Sequence, residues 1–440
     1  MVKIANTSEI VQTFFGETAE QVARETGFVQ RTSKVSGAHW LRTWVFGFLE
    51  TPDATLNQLA QVSTDLGVDL TAQGVDDRVA APAERYMAAM FRRSLELFRT
   101  HIALPLTLLE RFSEVQVLDS TQIALPACLQ DEFPGSGGAA SEASLKVHLL
   151  LELRRGKWQM DLGPGCQPDR TFAALDAIVP GSLRLADLGY SHLDTWVRIN
   201  EGEAYFLSRL NLSTSVFDPA AGEPIDLWAW LQASSETVFE RDIQLGANQR
   251  LPVRLVAFRL PQEVVDQRRQ KAREAARRKG RPAPTARYLA LLAWNLFVTN
   301  VPTDQLPPHD VGLLYRVRWQ IELIFKVWKS EAWLDRVGEW RRARIWCELY
   351  AKLIGLVFTQ LWFAPLRWDK DELSLTKAYQ SVQRHALRLA QSLTNQADLS
   401  HWLERLQTAW RKFGCKDKRK TQPSTLEQLR RLGEESTALA

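Results

Sequence analysis

Cysteine is scarce. The chain of 440 residues has four, Cys128, Cys166, Cys347 and Cys415, far apart and with no CxxC pair or His-Cys cluster. Neither a structural zinc site nor a disulfide framework is expected from them. Long apolar runs are also missing. The start, MVKIANTSEIV, has no apolar stretch behind a basic region, so no signal peptide is expected. The most apolar segment, residues 350–366, carries Lys352 and Gln360. It is shorter than the ~20 residues a membrane-spanning helix takes, and is expected to be a buried helix of a cytoplasmic protein. An excess of charge of one sign is nearly absent: 55 basic against 51 acidic residues leave +4. There is no internal repeat and no long low-complexity tract.

What is present describes an ordinary folded chain, 45% hydrophobic and 24% charged. At about 150 residues per domain the length suggests two to four domains. The 16 tryptophans read as large aromatic cores, with base stacking the alternative. The small net charge hides polarity. Residues 268–281 carry +7 and residues 411–420 carry +5, so the rest of a +4 chain carries −8. Arg277, Arg278, Lys279 and Arg281 belong to the first of these runs. A solvated helix or a contact with a phosphate backbone would explain it.

Residues 1–110 read as helical, with apolar residues at helical spacing over 9–24, 39–50 and 87–98. Inside them, 55–79 predicts a helix with Leu56, Leu59 and Ala60, a turn at Gly67 and a second helix around Val75 to Val79. That is the outline of a helix-turn-helix, or of a plain helical hairpin, in a region with more acidic than basic residues. From about 113 the texture turns to strands: 114–121, a hairpin over 144–162 turning at 154–157, then 181–190 and 203–210, with helical stretches at 170–179 and 191–202. This order implies an α/β domain around a mixed sheet. Residues 211–290 interrupt it with strands at 238–245 and 251–260 and the basic helix. Residues 288–302 predict a strand and its exit, a single long helix from Asp310 to Trp333 follows, and amphipathic helices continue to about 410.

Three acids stand out by position. Asp119 and Asp187 each follow an apolar run, VQVL and LRLA, so each strand would end by delivering a carboxylate to the sheet rim, where α/β sheets bind ligands. An aspartate at a strand end is also a common turn residue. Glu322 lies inside the long helix. At ~100° per residue, Tyr315, Arg318, Glu322 and Lys329 fall within about 60° of one face. A phenol, a guanidinium, a carboxylate and an ammonium do not make a core stripe. They make either a solvated face with Arg318 pairing Glu322 or a phosphate-gripping face beside a metal ligand.

The spacing Tyr-x2-Arg-x3-Glu-x6-Lys at Tyr315, Arg318, Glu322 and Lys329 resembles the YREK signature of one large group of bacterial insertion-sequence DDE transposases, insertion-sequence family four. VLDST around Asp119 and ADLGY around Asp187 are similar to the segments carrying the first two acids of that group, and KVHLL (146–150) and VTNVP (298–302) add to the likeness. The resemblance implies an α/β, ribonuclease-H-like catalytic core with a β-rich insertion, flanked by helical N- and C-terminal regions. It divides the chain into a DNA-end-binding region at 1–110, core at 111–210, insertion at 211–289, core at 290–375 and a C-terminal region with a basic tail at 376–440. It implies two Mg2+ ions, replaceable by Mn2+, on Asp119, Asp187 and Glu322. Cleavage would occur at the inverted-repeat ends of an element, followed by 3′-OH strand transfer, with a homodimer assembled on double-stranded DNA in the bacterial nucleoid. Tyr315, Arg318 and Lys329 would contact DNA near the cleaved end. Trp294 would stack on a flipped base, although it lies one residue out of the expected register and reads equally as core. Lys146 and His148 share a strand face and would flank Asp119, His148 reading equally as a packed histidine. A cleavage-only nuclease and a non-catalytic DNA-binding regulator on the same fold are the alternatives.

Overall fold

A computed structural model describes residues 4–97, 107–137, 141–172, 177–190, 192–338, 341–369, 373–416 and 427–428. Elements are numbered along the chain. Two compact units emerge, and neither is continuous in sequence: one gathers residues 1–105, 120–168 and 320–427, the other 106–119, 169–319 and 428–440.

The first unit is mostly helical. It opens with α1 (Ile4–Thr13), a π-turn over Phe14–Thr18, α2 (Ala19–Glu25), α3 (Gly37–Glu50), α4 (Leu56–Asp65), α5 (Ala72–Asp76) and α6 (Ala81–Glu96). Phe14 and Phe15 pack with Phe358, and Phe46 packs with Phe15, at ring separations near 5 Å. Phe358 sits in the long helix α14 (Arg342–Asp369), which packs on α3 and α6. Gly37 begins α3 where a Cβ would lie 2.6 Å from the Ala19 carbonyl oxygen and 2.5 Å from the Ala23 Cβ. Because the first of these neighbours is backbone, Gly37→Ala is expected to push α2 and α3 apart and cost about 1–3 kcal/mol, read as a lower urea midpoint.

The helical pair expected over 55–79 forms, but differently. α4 is secured by a capping box between Thr55 and Gln58, and the chain turns at Gly67 with φ +90°, a conformation glycine adopts without strain. The second helix is Ala72–Asp76, not Val75 to Val79. At ~1.5 Å per residue it is about 7 Å long, and Val75 and Val79 are buried.

The strands β2 (Ala143–Glu152) and β3 (Lys157–Pro164) also belong to this unit and pair antiparallel, with Gly156 at φ +67° in the turn, the expected hairpin. The unit ends with α13 (Trp319–Ser330, all but its first residue in this unit), α14, α15 (Leu375–Arg384), α16 (Ala386–Ser392) and α17 (Gln396–Phe413). Residues 350–366 lie within α14, where 351–364 are buried, and among the described residues no helix is long and apolar enough to cross a membrane.

The second unit is the mixed α/β part. Its strands are the first half of β1 (Val115–Leu125), β4 (Leu183–Ala186), β5 (Tyr205–Arg209), β6 (Val216–Phe217), β7 (Val238–Leu245), β8 (Leu251–Arg259) and β9 (Trp294–Thr299). Here the order is β1-β4-β5-β9-β8-β7-β6. β1, β4 and β5 run parallel and the remaining pairs antiparallel. The helices are α7 (Thr107–Glu110), α8 (Leu193–Glu201), α9 (Leu227–Ala233), α10 (Gln262–Arg278), α11 (Ala286–Leu291) and α12 (Pro308–Arg316). The strands of 211–289 therefore extend the same sheet through the β8–β9 pairing. Trp196, Phe206, Leu255, Trp294 and Val298 form part of its core.

Three local expectations are corrected. β1 continues to Leu125, so Asp119 stands inside the strand and does not end it. Residues 288–302 begin as helix α11, capped by the Thr285 hydroxyl, and become strand only at Trp294. The helix expected from Asp310 to Trp333 is two, α12 and α13, separated at Val317 and Arg318. There the amides of Val317 and Arg318 donate to the carbonyls of Leu314 and Tyr315, tightening the turn. The stretch 170–179 expected to be helical has its middle, 173–176, outside the described residues.

Candidate functional site

The site-bearing edge of the second unit follows from strand register. β1 and β4 pair with Leu118 opposite Ala186, so the next residues, Asp119 and Asp187, are neighbours. β4 and β5 pair with Leu185 opposite Leu207, which sets Arg209 beside Asp187. Adjacent strands are about 4.8 Å apart and aligned residues share a face. Two carboxylates and a guanidinium therefore stand in one row. The apolar residues preceding the two aspartates are buried and the aspartates are half-buried; β4 ends just before Asp187, whereas β1 runs on past Asp119. Arg209 was missed in the sequence. Its signal is the apolar strand YFLSR, which ends in a cation at the same edge.

The turn at Val317 and Arg318 serves this row. Arg318 Nη1 donates to Asp119 Oδ2 at 3.0 Å, with side-chain exposures of 14% and 19%. An ion pair this shielded is less screened than a surface one. Tyr315 lies beneath, its ring 5.0 Å from that of Phe297. The Arg209 and Arg318 guanidiniums lie 5.6 and 5.8 Å from the Tyr315 ring centre. The phenol OH donates, at 3.5 Å, to the carbonyl of Ala186, the last residue of β4. Burial pushes the Tyr315 phenol above its ordinary range, opposed by Arg318 and reinforced by Asp187. Arg268 donates to Asn295 Oδ1 at 2.9 Å, and its guanidinium is pushed down by burial and then by Arg209.

The other expected residues fall as follows. Glu322 and Lys329 are half-buried on α13, and because α12 ends at Arg316 the helical-face argument linking them to Tyr315 and Arg318 does not carry across the break. Trp294 is buried in the second unit's core with the Arg259 guanidinium 4.9 Å from its ring. His148 is fully buried on β2, opposite Asp161, which fits the packed-histidine alternative. Lys146 Nζ donates to the Gln167 carbonyl at 2.5 Å. Arg277, Arg278, Lys279 and Arg281 are exposed at the C-terminal end of α10 and just beyond it. Trp319, the first residue of α13, is 56% exposed.

Paired carboxylates at adjoining strand edges are hard oxygen donors of the kind divalent cations take, and Arg318 shows that a positive charge is accommodated against Asp119. The donor set fits such an ion. Among the described residues, no three or more histidines, cysteines and carboxylates are grouped so as to hold a metal.

Residues 110–358 match the family described as the transposase DDE domain. The chain is 30% identical over 421 residues to the transposase for insertion sequence element IS231F of Bacillus thuringiensis subsp. israelensis, covering 89% of this chain and 87% of that protein. It is 28% identical over 442 residues to the transposase for insertion sequence element IS1151 of Clostridium perfringens, covering 94% and 93%. The mixed sheet, the carboxylates in register at its edge and these likenesses agree, and the chain belongs to the DDE transposase family.

Proposed function

We propose that the protein is a cut-and-paste DNA transposase of the YREK-signature group, cleaving at the inverted-repeat ends of an insertion sequence and joining the freed 3′-OH to target DNA. The observation that carries the reading is the row Asp119, Asp187 and Arg209 on adjoining parallel strands in a DDE-family chain. Asp119 and Asp187, with Glu322 as the third carboxylate, would hold two Mg2+ ions, or Mn2+ in their place. Bound there, such ions activate the attacking oxygen and stabilise the leaving one.

The chain's own side chains orient the DNA. Arg318 neutralises Asp119 and can exchange that carboxylate for a phosphate oxygen, which a planar guanidinium grips bidentately. Arg209 points its charge at the same row. Tyr315 is buried, so it acts by fixing α12 to the end of β4 and thereby setting Arg318. Lys329 and the exposed Arg277, Arg278, Lys279 and Arg281 supply phosphate contacts without base readout. Trp294 supports the core of the second unit and His148 is buried within the first. Two copies bridging two element ends complete the reaction, on the nucleoid DNA of a bacterial cytoplasm.

The test is a labelled duplex carrying one element end, incubated with Mg2+, alongside a pre-cut end offered to a target plasmid. Nicking and joining are both expected. Cleavage without joining would make the protein a nuclease, and binding without either would make it a regulator. Removing Arg209 forfeits a charge-assisted contact worth about 1.5–3 kcal/mol. Arg209→Ala is therefore expected to slow cleavage by roughly 10- to 100-fold in single-turnover assays.

A further inference from the structure

Outside the matched catalytic domain, α16 and α17 build a cationic and aromatic cluster that the reaction does not use. Its centre is Trp402 on α17, half-buried. The Arg388 guanidinium lies 5.2 Å from the indole centre and that of Arg405 lies 4.9 Å from it. The rings of His385 and His401 stand 5.7 and 6.3 Å away. His385 is fixed in orientation, because its Nδ1 donates to the Ser381 carbonyl at 2.8 Å.

Both arginines are exposed. Among the described residues neither has an ion-pair or hydrogen-bond partner. Asp398 and Glu404, exposed on the same helix, neutralise neither of them. Two guanidiniums thus converge on one indole with no ion pair among the described residues, although Asp398 lies one turn before Trp402 on the same face. At ~100° per residue, Trp402, Arg405, Lys412 and Phe413 fall within about 100° of one face of α17, beside the stripe of Leu399, Leu403, Leu406 and Trp410 that the helix buries. Phe413, at the end of that face, is 76% exposed. From Trp402 to Phe413 the face runs about 16 Å, long enough to follow several phosphates of one strand.

We propose that this face of α17, with Arg388, is a second DNA contact surface that grips the phosphate backbone irrespective of base sequence. It rests on the reading of the protein as a DNA transposase. Unpaired guanidiniums match phosphate geometry, an indole flanked by arginines suits stacking and cation–π contact, and backbone contacts add affinity without specificity. It would hold DNA while the catalytic edge does the chemistry.

The test uses the full-length protein and its Arg388→Gln/Arg405→Gln double variant, titrated with an element-end duplex and with a random duplex between 50 and 200 mM salt. Loss of two phosphate contacts is expected to make the slope of log affinity against log salt shallower by about 2, and to weaken binding by about tenfold at the low-salt end, equally on both duplexes. The Arg388→Lys/Arg405→Lys variant keeps the charge and is expected to retain most of the slope, which separates charge from folding. Unchanged affinity and slope in a protein that still cleaves element ends would overturn this surface and leave the transposase reading intact. A loss confined to the element-end duplex would overturn backbone contact in favour of base readout. An acidic protein held by this face, with DNA affinity unaltered in the double variant, would also overturn it. If the unaltered protein binds neither duplex, the transposase reading itself fails.

Discussion

Asp119→Asn is expected to abolish metal-dependent cleavage while leaving DNA binding in place. The substitution keeps the shape of the side chain and removes one negative charge. A divalent ion at the strand edge is worth several kcal/mol of transition-state stabilisation, and ~1.4 kcal/mol is tenfold in rate. A fall of about three decades or more follows. Asp187→Asn is expected to match it, because the two residues stand in register on neighbouring strands, and Glu322→Ala should do the same if that acid completes the set. Arg318 pairs with Asp119, so the asparagine variant also leaves that guanidinium with less counter-charge. End binding should be unchanged or slightly stronger. The measurement is single-turnover cleavage of a labelled end beside a gel-shift titration. Retained cleavage in Asp119→Asn would remove that residue from the chemistry.

The second large effect lies in the helical unit. Lys352 and Glu348 are both buried on α14, and their ammonium and carboxylate meet at 2.7 Å. The Lys352 ammonium also donates to the carbonyl of Trp333 at 3.2 Å, a residue held at φ +47°, in the stretch that follows α13. Burial pushes the Glu348 carboxyl up, opposed by Lys352. Removing one member of a buried pair leaves the other charge without compensation, at a cost of about 3–5 kcal/mol. Lys352→Met is expected to lose that much, and Lys352→Met/Glu348→Leu to recover most of it because no buried charge remains. Urea melts of the single and double variants check this. A single variant as stable as the parent would mean that water reaches the carboxylate.

Much of the outline was legible locally. The hairpin at Gly156, the strands at 238–245 and 251–260 and the basic helix α10 each follow from short-range pattern: alternation, a turn glycine, a cation-rich helical run. So did Asp187, which directly follows an apolar strand. The errors came where long-range partners outweigh periodicity. The helical spacing from Asp310 to Trp333 is real, yet the helix divides at Val317 and Arg318 and the arginine meets a carboxylate 199 residues earlier in the chain. Asp119 looked like a strand end because the apolar run VQVL stops there, but β1 continues to Leu125. Arg209 carried no local mark beyond ending an apolar strand. Only the parallel register with β4 sets it beside Asp187.

By itself, then, the sequence determined the kinds of element, the apolar strands that form the sheet and the identity of the acids, because propensity and patterning act over a few residues. The tertiary structure decided which charges meet. Strand register and a two-residue break between helices bring residues of distant segments into one row, and no local spacing encodes that distance. The same holds for Trp402 and its two arginines on α16 and α17: each is an ordinary surface residue in the sequence, and only the packing of the helices leaves their charges converged on one ring.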